Sequence, residues 1–156
     1  MLWSKVYFSG EGNCVIQTMD GGYAVAGGAD GRMVLIKTDG EGNVQWSKMY
    51  WNGTAYLVLQ TGDGGYMLAG YMYVGYFDHV DYVFKIDSKG VVQWAKTFGS
   101  QQTNSYATSI VETGDGFLIS GVGMIYGDPS GMIIKVDWMA MFSGTKPFRK
   151  LGQSLK

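Results

Sequence analysis

The residues able to do chemistry are few. The single histidine lies in Asp78-His79-Val80-Asp81, where two carboxylates and an imidazole offer the donors that a divalent cation accepts. The other repeats described below keep only Asp30 or Asp128 near that place, so the segment reads as an exposed, solvated loop and no metal is assigned. The single cysteine, Cys14, excludes an internal disulfide and any multi-thiolate site, and its apolar surroundings read as a buried small residue. Asp20, Asp63 and Asp115 recur, each beside glycine, which marks turn formers. Calcium would need more oxygen ligands than such turns supply. There is no nucleophile motif, and the carboxylates repeat instead of forming one paired site, so neither catalytic residue nor cofactor is assigned and the chain is expected not to be an enzyme.

Two aromatic sets remain. Tyr71, Tyr73, Tyr76 and Phe77, matched weakly by Tyr126, form an uncharged cluster of the kind that contacts a glycan or a protein, or buries itself against a neighbouring element. Trp3, Trp46 and Trp94 return at one strand position, which points to packing between repeats and not to a ligand. Lys37, Lys85 and Lys135 each precede Asp39, Asp87 and Asp137 by two residues on one strand face. They are expected to form repeated ion pairs or hydrogen bonds to turns.

These residues are positioned by a repeat. Asp39-Gly40-Glu41-Gly42-Asn43-Val44-Gln45-Trp46-Ser47-Lys48-Met49-Tyr50 returns as Asp87-Ser88-Lys89-Gly90-Val91-Val92-Gln93-Trp94-Ala95-Lys96-Thr97-Phe98, and a partial copy opens the chain as Trp3-Ser4-Lys5-Val6-Tyr7. Within each repeat, short apolar runs are separated by Asp-Gly turns. The expected strands are 14–18, 23–28, 33–39 and 44–50, then 57–61, 66–70, 82–87 and the second Trp strand, then 109–113, 117–121 and 132–137. Loops 71–81 and 122–131 are expected to be the variable ones. Val34-Leu35-Ile36, Tyr82-Val83-Phe84 and Met132-Ile133-Ile134 are apolar on both alternating faces, as a sheet covered on both sides requires. Gly27, Gly70 and Gly121 fall at one equivalent place, where a missing side chain would let the next repeat approach.

The totals agree. In 156 residues there are 25 glycines and 2 prolines, with 15% aromatic residues but only 16% charged, a profile of many short strands and tight turns. A net charge of -1 gives no basic surface for nucleic acid, and no apolar run approaches the ~18 residues of a spanning helix, so no membrane insertion is expected.

Four strands in about 45 residues have the size of one propeller blade. The phrases Asp-Gly-Gly-Tyr, Ala-Gly, Lys-x-Asp and Gly-x-Val-x-Trp-x-Lys resemble the tandem β-propeller repeats of archaeal and bacterial secreted or surface proteins, over residues 1–137. Asp39, Gly42 and Trp46 are also similar to the tryptophan-docking motif of quinoprotein-type propellers, with one residue fewer between Asp and Gly, and less like the sialidase Asp-box. The resemblance implies an all-β fold of three four-stranded antiparallel blades in an incomplete ring: 9–52, 53–100 and 101–137, the third without its last strand, with 1–8 an outer strand of a preceding or exchanged blade. It implies a non-enzymatic scaffold or binding module, a fragment of a surface or secreted protein. The alternatives are an enzyme domain of quinoprotein or glycosidase type, or a truncated reading frame without selected function. A homodimer or strand exchange completing the ring is the expected assembly, since three blades alone leave faces and edges open.

After Asp137 the pattern stops. Trp138-Met139-Ala140 must be encoded TGG ATG GCN, and reading from the third base gives Asp-Gly; Met141-Phe142 likewise forces Val. The wobble bases permit Asn before that Val and Gln-Trp after it, restoring the repeat phrase, so residues 138–156 are expected to be out-of-frame translation. Met1 falls where Val44 and Val92 sit, as if an internal Met opened the frame. Resequencing the locus should reveal a lost nucleotide near codon 138; codons that cannot spell the phrase in the shifted frame would refute this.

Overall fold

The computed structural model describes residues 3–74, 79–98, 106–125 and 128–137; Tyr76, Phe77, Tyr126 and the off-pattern segment 138–156 lie outside the described residues. Among the described residues ten strands follow in chain order: β1 (Gly10–Gln17), β2 (Tyr23–Ala29), β3 (Arg32–Thr38), β4 (Val44–Gln60), β5 (Tyr66–Tyr73), β6 (His79–Ile86), β7 (Val92–Phe98), β8 (Tyr106–Thr113), β9 (Gly116–Ile125) and β10 (Asp128–Asp137). No helix occurs among the described residues, so none is long and apolar enough to cross a membrane. All pairing is antiparallel. A seven-stranded sheet runs β1 to β7 in sequence order, and a three-stranded sheet is ordered β10-β9-β8.

The larger sheet is two four-stranded meanders that share a strand. β4 pairs with β3 from Val44 to Asn52 and with β5 from Gly53 to Gln60. Two separate strands were expected here. Gly53 allows one to run through: its φ is 144°, and a Cβ on it would overlap the Tyr71 carbonyl oxygen, so only glycine fits where the strand changes partners. Of the expected loops 71–81 and 122–131, residues 71–73, 79–81, 122–125 and 128–131 are strand and extend both hairpins; Tyr71-Met72-Tyr73 and Val80 suit the pleated ladder of the first. Asp81, expected in a solvated loop beside His79, is 2% exposed.

Two apolar interfaces stack these layers face to face, and a third seats residues 7–8 on the first meander. Ala24, Ala26, Met33 and Leu35 of the first meander meet Tyr66, Leu68, Tyr82, Phe84 and Ile86 of the second. The second meander's other face, with Met67, Ala69 and Val83, meets Phe117, Ile119, Ile134 and Val136 of the three-stranded sheet. Tyr7 and Phe8 pack on Val34 and Ile36, the outer face of the first meander. Cys14, expected to be buried, is half-buried at the edge of the first interface.

Each of the repeated tryptophans, Trp3, Trp46 and Trp94, reaches across to an adjacent layer. Trp46 meets Tyr66 edge-on, with centroids 5.9 Å apart, and lies over Gly90, whose added Cβ would stand 3.3 Å from the indole. Tyr50 Oη donates to the Gly90 carbonyl at 3.1 Å. Trp3 repeats this on the first meander: it meets Tyr23 at 6.1 Å and lies over Gly42, while Tyr7 Oη donates to the Gly42 carbonyl at 3.0 Å. Trp94 and Phe98 join the cluster that contains Phe117. Gly42 and Gly90 both have positive φ, 77° and 79°, which makes the turn and leaves room for the ring.

Gly27, Gly70 and Gly121 do a different job from the one expected. A Cβ at each would overlap the carbonyl of Glu11, Thr54 or Tyr106 on the neighbouring strand of the same sheet, opposite a β-bulge in β1, β4 or β8. The close approach between layers falls one residue later, where Thr54 meets Gly28.

The lysines also choose a partner that spacing does not reveal. Lys37 Nζ donates to both Asp20 carboxylate oxygens at 2.8 and 3.0 Å, to the Thr38 carbonyl at 2.8 Å and to Gln45 Oε1 at 2.9 Å. Lys85 repeats the set with Asp63, the Ile86 carbonyl and Gln93. Lys135 meets Asp115 and Thr113. The nearer aspartates, Asp39 and Asp87, instead accept amide hydrogens within their own turns, from Glu41 and Asn43 and from Lys89 and Val91. The Asp-Gly-Gly-Tyr phrase is thereby explained. The Asp receives the ammonium, the first Gly takes positive φ (81° at Gly21, 80° at Gly64), and a Cβ on the second (Gly22, Gly65) would overlap the Thr38 or Ile86 carbonyl oxygen and crowd the lysine nitrogen.

The Lys37 ammonium and the Thr18 hydroxyl hold Asp20 down at about 2. Burial pushes Asp63 up, but the Thr61 hydroxyl, the Lys85 ammonium and the Gly65 amide together outweigh it and bring it also to about 2. Since both lie below the ordinary 3.8, each carboxylate favours the folded state above that pH, and this stabilisation disappears as pH falls toward 2. Asp63→Asn should therefore flatten the acid limb of a melting-temperature profile. In urea titrations Lys85→Met should cost about 2–3 kcal/mol because its ammonium is enclosed. Lys135→Met, with a side chain 40% exposed, should cost under about 1 kcal/mol.

Candidate functional site

Of the five aromatic residues expected to contact a ligand, Tyr71 and Tyr73 are brought together at the end of β5. Spaced two apart on a strand, they share a face. Their rings meet nearly perpendicular with centroids 5.1 Å apart, and their hydroxyls stand 3.1 Å from each other. Tyr76, Phe77 and Tyr126 lie outside the described residues.

A third tyrosine, absent from the sequence-based set, completes the group. Tyr56 is the extra residue of the β4 bulge, between Ala55 opposite Gly70 and Leu57 opposite Ala69. The bulge re-aims its side chain, as bulges do, and its ring packs on Tyr71 at 5.7 Å. Thr54 Oγ1 adds a further hydroxyl, 3.4 Å from Tyr71 Oη. Tyr56 and Tyr71 are half-buried, while Tyr73 is 46% exposed and Val74 beside it is exposed. The signal for Tyr56 was its place in the repeat: Asn13 and Thr108 are the corresponding bulge residues, and both use their side chains for polar contacts, Asn13 to the Ala55 carbonyl at 3.1 Å and Thr108 to the Ser120 carbonyl at 3.2 Å.

Two of the three phenols are held in the protonated form. The hydrogen bond with Tyr71 raises Tyr73 above the ordinary 10.0, while burial, then the neighbouring Tyr71 and the Glu11 carboxylate, raise Tyr56. The result is a shelf of phenol rings with hydroxyls as donors and acceptors, suited to neutral polyols and amides. It offers no general base near neutral pH.

The tryptophans assigned to packing occupy the interfaces described above. A second aromatic group, which sequence spacing did not single out, surrounds Trp51: it meets Tyr82 at 4.9 Å and Phe84 at 5.3 Å, both edge-on, at the rim of the first interface. Burial pushes Tyr82 up to about 12. His79 begins β6, opposite Tyr73 in the ladder. Among the described residues, no group of three or more His, Cys, Asp or Glu stands where it could hold a metal ion.

No protein-family model matches this chain, and no curated protein is similar to it. The hydroxyl contact makes its own prediction. Tyr71→Phe removes the bond that raises Tyr73, so in a high-pH NMR titration of the tyrosine Cζ resonances Tyr73 should move back toward 10.0. An unchanged Tyr73 would mean that the two hydroxyls do not interact in solution.

Proposed function

We propose that this chain is a β-propeller-type repeat module that binds rather than catalyses, with the shelf of Tyr56, Tyr71 and Tyr73 as its contact surface for a neutral glycan. The observation that carries the proposal is the contrast between repeated and unrepeated features. The aromatic docking across layers and the Asp–Lys contacts recur along the chain, as a scaffold requires. The tyrosine shelf belongs to the second repeat alone: Gly28 and Asp30 in the first, and Val122 and Met124 in the third, occupy the places of Tyr71 and Tyr73.

The chemistry favours a sugar. Pyranose rings present C–H faces that pack on aromatic rings and hydroxyls that pair with phenols, and Tyr gives rigid, amphipathic contact area at small entropic cost. A glycan ligand accords with the surface or secreted setting implied by the family resemblance. Against the enzyme reading, the recurrent carboxylates are engaged structurally: Asp20, Asp63 and Asp115 hold lysines, and Asp39 and Asp87 brace turns.

A glycan array probed with the folded protein, beside a screen for hydrolysis of the same sugars, tests this. Retention without turnover is expected, and Tyr73→Ala should weaken it at least about tenfold with an unchanged melting temperature. Release of cleaved sugar would transfer the protein to the glycosidase class. Retention that ignores Tyr73→Ala would remove the shelf from the proposal.

A further inference from the structure

We propose that two copies of this chain close into one two-fold ring, each supplying residues 3–8 as the fourth strand of the β8–β10 sheet of the other. The inference rests on the layered-module reading above and not on its ligand.

Residues 3–8 do half of what a fourth strand does. In the first meander the Trp46 segment pairs with β3 and also lays Trp46 and Tyr50 on the next layer; the Trp94 segment pairs with β6 and lays Trp94 and Phe98 on the three-stranded sheet. The Trp3 segment lays Trp3 and Tyr7 on the first meander in the same way. Yet no ladder pairing includes residues 3–8, and the first strand begins at Gly10. One edge of this segment is therefore unused.

The complementary half is at the other end of the molecule. Among the described residues β10 pairs only with β9, whereas β3 and β6 each have a strand on both sides. The lysine beside that edge reports the difference: the side chains of Lys37 and Lys85 are 5% and 2% exposed, and that of Lys135 is 40% exposed. The outer faces match as well. Ile133, 74% exposed, holds the place in the third sheet that Val83, 2% exposed, holds in the second. On the opposite side Val15, 63% exposed, corresponds to Val58, 4% exposed. Stacking the third sheet of one copy on the first meander of the other covers both faces and repeats an interface that already forms twice within the chain.

The geometry specifies the register. Lys37 faces Trp46 and Lys85 faces Trp94, while Val34 faces Met49 and Tyr82 faces Thr97. By the same pairing, Lys135 faces Trp3 of the partner subunit and Met132 faces Val6 of the partner subunit. A head-to-tail contact made twice around a two-fold axis closes on itself. Two sets of three sheets fall within the roughly four to eight blades of closed propellers.

The test joins Val6→Cys with Met132→Cys in a Cys14→Ser background, under mild oxidation of a mixture of isotope-labelled and unlabelled chains. The expected product has twice the 17.1 kDa mass of one chain and carries labelled-to-unlabelled disulfides between positions 6 and 132. Neither single-cysteine variant should give that linkage. Light scattering of the unsubstituted protein should report the same doubled mass, which decides the matter even if the variant fails to fold. A single-chain particle across the whole concentration range, a disulfide within one chain, or an open ladder of higher oligomers would each overturn the proposal. None of these outcomes depends on whether the tyrosine shelf binds sugar.

Discussion

Every sheet here is apolar on both faces, so each needs a cover on two sides before it can be stable. Leu35, Val83 and Ile133 alternate with Ile36, Phe84 and Ile134 along the third strand of each repeat, and no register of a single sheet could hide both sets. Stacking resolves this for the inner faces. The aromatic residues are its strongest local contributors: a docked tryptophan contributes on the order of 2–3 kcal/mol from removed apolar area, and its edge-on contact with tyrosine about 1 kcal/mol more. The contact is directional, because the indole must pass over a turn glycine with positive φ, and this fixes each layer's rotation as well as its distance.

The Asp–Lys contact performs the complementary task inside a layer. It ties the turn between the first two strands to the third strand, and the Gln of the fourth strand adds its side-chain oxygen, so one ammonium joins that turn to two strands. An amine enclosed to this degree would be costly alone; here a carboxylate, a carbonyl and an amide oxygen satisfy it together. The second glycine of the turn leaves space for the third strand's last carbonyl and for the nitrogen bound to it.

The tyrosine shelf depends on the same framework. Tyr71 and Tyr73 stand on an extended strand, and Tyr56 reaches them only because the first strand bulges opposite Gly70. A bulge that recurs in every repeat for backbone reasons thus supplies, in the second, a side chain aimed at its neighbour's ring. In the first and third repeats the corresponding residues make polar contacts.

Much of this was legible in the residues alone. The repeat, the all-β class, nearly all strand positions, the interlayer tryptophans and the turn aspartates follow from local periodicity and from what Asp, Gly and β-branched side chains permit within a few positions of themselves. Tertiary structure decided which groups meet. Lys37 takes Asp20 and not Asp39; Gly70 makes room for a carbonyl of its own sheet and not for the next layer; Tyr56 joins Tyr71; and β4 runs unbroken through the junction of two meanders. Each of these contacts joins residues separated along the chain by hairpin registers and bulges. Such pairings are set by the backbone carbonyls opposite and by the layer above, neither of which is encoded in the neighbouring sequence.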